Sequence, residues 1–164
     1  MIHNKRLYST LISALFVTVT CALAPIHASA QKGPVKSHPE SAQQQPLYSD
    51  YKGVRIGMTA EEVRAKLGKP ELAGDDQDYY IISQTETAQV VYDAAHKAKA
   101  ISVDYVDGTG APDFKLVVGP DLQSKPDGSM HKIVFYESLG FWVSYNRSAG
   151  SVPMVSITIQ RMQK

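Results

Sequence analysis

The sequence predicts an α+β domain, an antiparallel sheet of about six strands with two short helices on one face. Three observations predict it. Runs rich in Val, Ile, Tyr, Phe and Thr recur at 78–82, 87–93, 98–106, 131–137, 141–147 and 153–162, punctuated by Gly, Asp, Pro and Ser. These runs fall in two groups of three, and a short Gly-to-Gly segment precedes each group. The spacing also repeats. Gly68 to Val90 is 22 positions and Gly119 to Val143 is 24; Val90 to Ile101 is 11 and Val143 to Val155 is 12. The chain reads as two α-β-β-β units, over 53–106 and 110–162.

Ahead of the domain, residues 1–30 have the layout of a secretory signal peptide. Lys5 and Arg6 precede the uncharged run "LYSTLISALFVTVTCALAP", and "HASA" puts small residues at Ala28 and Ala30. Cleavage is expected after Ala30. The run is nearly long enough to span a bilayer, but its Thr and Ser residues and its A-x-A ending favour removal over anchoring. The single cysteine, Cys21, lies inside this segment. The "TVT" before it is a poor lipobox, so lipid anchoring through Cys21 is not expected. Without Cys21 the mature chain has no thiol, disulfide or thiolate ligand, and its core alone must hold the fold.

The mature chain loses two basic residues, so Lys plus Arg falls from 17 to 15 against 16 Asp plus Glu, a net charge of about −1. No basic field is available to attract nucleic acid. Residues 31–50, "QKGPVKSHPESAQQQPLYSD", have no apolar period and read as a disordered tether. The folded domain is expected over 51–164.

The first helix is the most sharply specified element. In "GMTAEEVRAKLGKP" (57–70), Thr59 is the N-cap and Glu62 completes a capping box. Met58 and Val63 are placed to form the hydrophobic staple. Glu61 and Glu62 occupy the positive first turn, Arg64 and Lys66 lie toward the negative end, and Glu62 and Lys66 are an i,i+4 pair. Val63 and Leu67 share the buried stripe. Gly68 ends the helix and Pro70 forbids its continuation. The second Gly-to-Gly segment, "GAPDFKLVVGPD" (110–121), echoes this order, but Val117 and Val118 are poor helix formers, so strand and loop stay open there.

Strand alternation sorts the side chains into two faces. Ile101, Val103 and Tyr105 oppose Ser102 and Asp104. Phe141, Val143 and Tyr145 oppose Trp142, Ser144 and Asn146, and Val155, Ile157 and Ile159 oppose Met154, Ser156, Thr158 and Gln160. The second face is polar yet carries the only tryptophan. An antiparallel sheet can leave such a face in water or offer it to a partner. Asp104, Trp142, Ser144, Asn146, Ser156 and Thr158 are the candidate binding residues. A loop or the tether over Trp142 is the competing account.

Signals for chemistry are sparse. His38, His96 and His131 lack a second His or carboxylate at a metal-ligand spacing. Asp75, Asp76 and Asp78 in "GDDQDY" cluster without the glutamate of a calcium loop, which favours a solvated loop over a cation site. No nucleophile elbow, phosphate-binding loop or dinucleotide fingerprint occurs. No enzymatic activity, metal or cofactor is expected. Most strand tyrosines, Tyr79, Tyr92, Tyr105 and Tyr145 among them, are expected in the core or at its boundary.

The stretch "IGMTAEEVRAKLGKP" resembles the signature of the SmpA/OmlA (BamE-like) envelope domain family, through Gly57, Met58, Thr59, Val63, Leu67, Gly68 and Pro70. The tandem arrangement is similar to the beta-lactamase-inhibitor-like (BLIP-like) fold, in which an open sheet face can bind a protein. The resemblance implies a non-enzymatic accessory factor of outer-membrane protein assembly. The matching residues cap and pack a helix, so it transfers no catalytic or binding residue. The chain departs from the family in its poor lipobox and its second unit.

Together these readings lead to an exported, periplasmic or extracellular domain of the bacterial cell envelope that binds an envelope or secreted protein. Binding of nucleic acid and stable membrane insertion after cleavage are not expected. One alternative is an inhibitor of a secreted hydrolase using the same face. Another is a binder of a small ligand or glycan, with Trp142 and Tyr80 as stacking platforms.

Overall fold

The computed structural model describes residues 45–163. The expected signal segment with Cys21, Ala28 and Ala30, and residues 31–44 of the expected tether with His38, lie outside the described residues. The elements are α1 (Ala60–Leu67), β1 (Leu72–Ala73), β2 (Gln77–Ile81), β3 (Glu86–Tyr92), β4 (Ala98–Tyr105), α2 (Phe114–Val118), β5 (Met130–Tyr136), β6 (Phe141–Arg147) and β7 (Val155–Arg161). Single 3-10 turns follow β4 and β5.

The strands form one antiparallel sheet in the order β1-β2-β3-β4-β7-β6-β5. The fold is α+β, with seven strands rather than about six. The additional strand is the two-residue β1, which sets Leu72 opposite Tyr79 and Ala73 opposite Asp78. Two residues are too few for any alternation to announce. The segment left open between helix, strand and loop is a five-residue helix, α2, whose first turn is capped by the Asp113 carboxylate accepting from the Lys115 N–H.

Helix α1 forms as its residues dictate. Thr59 accepts from the Glu62 N–H, and Glu62 accepts from the Thr59 N–H at 2.8 Å. Gly68 closes the helix at φ 86°. Gly57 stands at φ 90°, a backbone conformation that favours glycine, with open space where a Cβ would sit. Its role is therefore conformational. The segment before α1 also bonds the β3–β4 turn: the Gly57 N–H donates to Ala98 O, Ala98 N–H to Met58 O and Ala60 N–H to His96 O.

The sheet order has a twofold pattern. Counted outward from the central pair, β4-β3-β2 on one side matches β7-β6-β5 on the other. One core-facing row runs Asp78–Val90–Ile101–Ile159–Val143–Val134. Setting Val90 on Val143 along these ladders brings Tyr80 onto Tyr136, Tyr92 onto Tyr145 and Ile101 onto Ile159. Sequence spacing instead set Val155 against Ile101. The β6–β7 connection is longer than the β3–β4 connection, and pairing moves the counterpart to Ile159.

A single core lies on one face of the sheet. Tyr80, Val90, Tyr92, Ile101, Val103, Val143, Ile157 and Ile159 supply it from the strands. Ala60 and Val63 of α1 and Val117 and Val118 of α2 close it from the helices. Full burial of each such Val, Leu or Ile contributes about 1.5–3 kcal/mol relative to exposure.

The ordered chain starts earlier than Tyr51. Tyr48 packs against the core, the Leu47 N–H donates to the Tyr136 hydroxyl at 3.3 Å, and the Tyr51 hydroxyl donates to Glu86 at 2.7 Å. Residues 45–50 therefore belong to the domain rather than to a tether. The aromatic ring of Tyr48, placed among polar residues, supplies the surface that composition averaged away.

Candidate binding face and a buried charge cluster

The face opposite the core is the largest open feature of the sheet. Three rows cross it. The middle row runs Leu72–Tyr79–Gln89–Ser102–Thr158–Ser144–Ile133. On one side lies Gln77–Val91–Ala100–Gln160–Trp142–Phe135, and on the other Ile81–Thr87–Asp104–Ser156–Asn146–His131. None of these side chains is buried.

All six candidate residues, Asp104, Trp142, Ser144, Asn146, Ser156 and Thr158, lie on this face, on the adjacent strands β4, β7 and β6. The Ser156 hydroxyl donates to Asp104, and the Ser102 and Thr158 hydroxyls lie 2.9 Å apart. The centre is thus a polar patch of short side chains, in which Ser102 bonds Thr158 and Ser156 bonds Asp104. Its flanks are apolar. Trp142 is directly opposite Phe135, which is 58% exposed, and Ile133 lies two residues along the same strand. Tyr79, Ile81 and Leu72 mark the far flank.

Phe135 and Ile133 were missed from the sequence. Alternation in "MHKIVFY" sets His131, Ile133 and Phe135 on one side, the same signal that singled out Trp142. Tyr80 is a correction in the other direction. Its ring is 2% exposed and its hydroxyl donates to Asp78 at 3.1 Å, so it offers no stacking platform. Pairing parity decides this: Tyr80 opposes Ala88 on the core side, while Tyr79 takes the open side.

Asp78 is the second feature. It was expected in a solvated acidic loop with Asp75 and Asp76. Those two are exposed, but Asp78 is fully buried at the start of β2. It accepts from Arg64 Nε and Nη2, both at 2.8 Å, from the Tyr92 hydroxyl at 2.8 Å and from the Tyr80 hydroxyl. Burial pushes its carboxyl up, but the bonds from Arg64, Tyr92 and Tyr80 outweigh that and hold it below the usual carboxylate range. Burial, and then the Asp78 charge, push Tyr80 up to about 12, while burial and the bond to Asp78 push Tyr92 up. Beyond complementing the helix dipole, Arg64 pins α1 to β2 through Asp78, which Tyr92 of β3 also bonds.

Within this cluster the Asp78 carboxylate is taken up by Arg64, Tyr80 and Tyr92. Among the described residues no group of three or more His, Cys, Asp or Glu is placed to hold a metal ion. His96 and His131 are exposed, and the His96 ring lies 3.2 Å from Asp75 O. Among the described residues no helix is long and apolar enough to cross a membrane.

No family model and no curated protein matches the chain. Among solved structures, the chain is similar to a DUF4309 family protein (YjgB) from Bacillus subtilis, at 16% identity and a TM-score of 0.43, over 67% of this chain and 83% of that one. A likeness that distant assigns neither family nor function.

Proposed function

We propose that this protein is a non-enzymatic, exported protein-binding domain of the bacterial cell envelope, with a role in outer-membrane assembly or maintenance. Its open sheet face is the binding surface. The observation that supports this reading is the side-chain arrangement there. Trp142, Phe135 and Ile133 form an accessible apolar ledge beside a polar patch in which Ser102 bonds Thr158 and Ser156 bonds Asp104. Aromatic anchors at the edge of a low-charge patch are what protein interfaces select. The resemblance of the α1 segment to the SmpA/OmlA (BamE-like) signature points to the envelope, and the expected signal peptide points to export.

Capture of envelope proteins on the exported chain tests the reading. A partner retained by the wild type is expected to lose at least about tenfold in affinity with Trp142→Ala or Phe135→Ala. The melting temperature of either variant should stay within a few degrees of wild type. A partner that both variants hold with unchanged affinity overturns the open face as the site. Retention of a secreted hydrolase, with loss of its activity, would make the same face that of an inhibitor.

A further inference from the structure

We infer that the free edge of β5 is a self-association surface, through which two copies of this chain pair β5 to β5, antiparallel, about a twofold axis at Ile133. Among the described residues β5 pairs only with β6, so its outer backbone groups line the edge of the sheet. The strand is seven residues long, without Pro or Gly. The opposite edge is different, ending in the two-residue β1.

A long, regular edge invites pairing, and proteins commonly guard such edges with charge, especially lysine. Here the guard is weakened. Lys132 lies on the core side of β5, is 26% exposed and has Asp121 at 3.8 Å as its own countercharge. The open side of the strand instead presents Ile133 and Phe135, which are 39% and 58% exposed.

The strand is also self-complementary. Ile133 is the midpoint of Met130–Tyr136, so an axis there pairs the full strand with its copy. Ile133 then meets the partner's Ile133. His131 meets the partner's Phe135, and Lys132 meets the partner's Val134. No like charges stand directly opposed, whereas an axis at Lys132 would set lysine against lysine. Pairing in this register joins the two Trp142–Phe135–Ile133 ledges into one apolar band across a continuous sheet. An edge of seven residue pairs is small against the roughly 1,000 Å² of a stable interface, so association is concentration-dependent.

Sedimentation of the exported chain from about 1 µM to about 1 mM tests this, and a monomer–dimer equilibrium is expected. Ile133→Lys, which places like charges at the axis, and Phe135→Lys should each weaken dimerisation at least about tenfold. Phe135 is exposed enough that its variant serves if Ile133→Lys fails to fold. In the exported chain, which the expected cleavage leaves without Cys21, Ile133→Cys should give a disulfide-linked dimer on mild oxidation, and Val152→Cys, exposed in the β6–β7 connection, should not. A chain that stays monomeric throughout overturns the inference. So does a dimer that both lysine variants leave unchanged.

Discussion

Asp78 shows how much one side chain can depend on its surroundings. A carboxylate with no exposed surface is costly to keep charged, and Arg64, Tyr80 and Tyr92 offset that cost together. Arg64→Met would leave the carboxylate buried without its countercharge. The expected loss is about 3 kcal/mol in urea unfolding, at the low end for a broken buried pair, because Arg64 is 38% exposed and water screens it. Acid should weaken the fold by the same route. The folded-state pKa of Asp78 is depressed, so its contribution is present above the unfolded carboxyl value of about 4. It is lost as pH falls through the folded-state value. The urea midpoint should therefore decline below about pH 4, and in Arg64→Met that decline should be shallower. At this scale legibility was uneven. The Thr59 and Glu62 caps followed from spacing alone. The fate of Asp78 did not, because "GDDQDY" looks the same in a loop as at a strand start, and its partners come from α1 and β3.

Among the elements, those set by local rules were legible and those set by packing were not. Strands β2 to β7 were readable because alternation over five or more residues persists whatever lies next to it. Helix α1 was readable because its caps lie within its own segment. Thr59→Ala should cost about 1 kcal/mol in unfolding free energy, since the capping box is intact. Residues 45–50 were misread because their composition is polar and their anchors, Tyr136 for Leu47 and the core for Tyr48, are distant in sequence. A chain beginning at Tyr51 should melt several degrees below one beginning at Gln31. Equal melting temperatures would show that the segment contributes nothing to the fold.

At the scale of the whole domain, the described residues form two similar halves sharing one core. Ile101 and Ile159 pair at the seam, and the buried residues of α1 and α2 meet the same sheet face. The halves are joined by the β4–β7 ladder and one continuous core, so a single cooperative transition is expected. The lone tryptophan makes the check direct. Trp142 reports on the second half, while circular dichroism reports on both. Their urea transitions should coincide, and separate midpoints would show that the halves unfold independently. The sheet and the two-group layout were legible in the sequence. The pairing of one group with the other was not, since the β4–β7 ladder joins residues as far apart as Ala100 and Gln160.

The bonds between the start of α1 and the β3–β4 turn bear on hydrogen exchange. The first amides of a helix normally lack a carbonyl partner and exchange with solvent early. Here the first helical amide, Ala60, donates to His96 O, and just ahead of the helix Gly57 donates to Ala98 O, on a hairpin about forty residues away. Their exchange is thus tied to the opening of that hairpin rather than to fraying of α1. The beginning of this short helix, by position its most exchange-prone part, should be protected as slowly as the sheet that holds it.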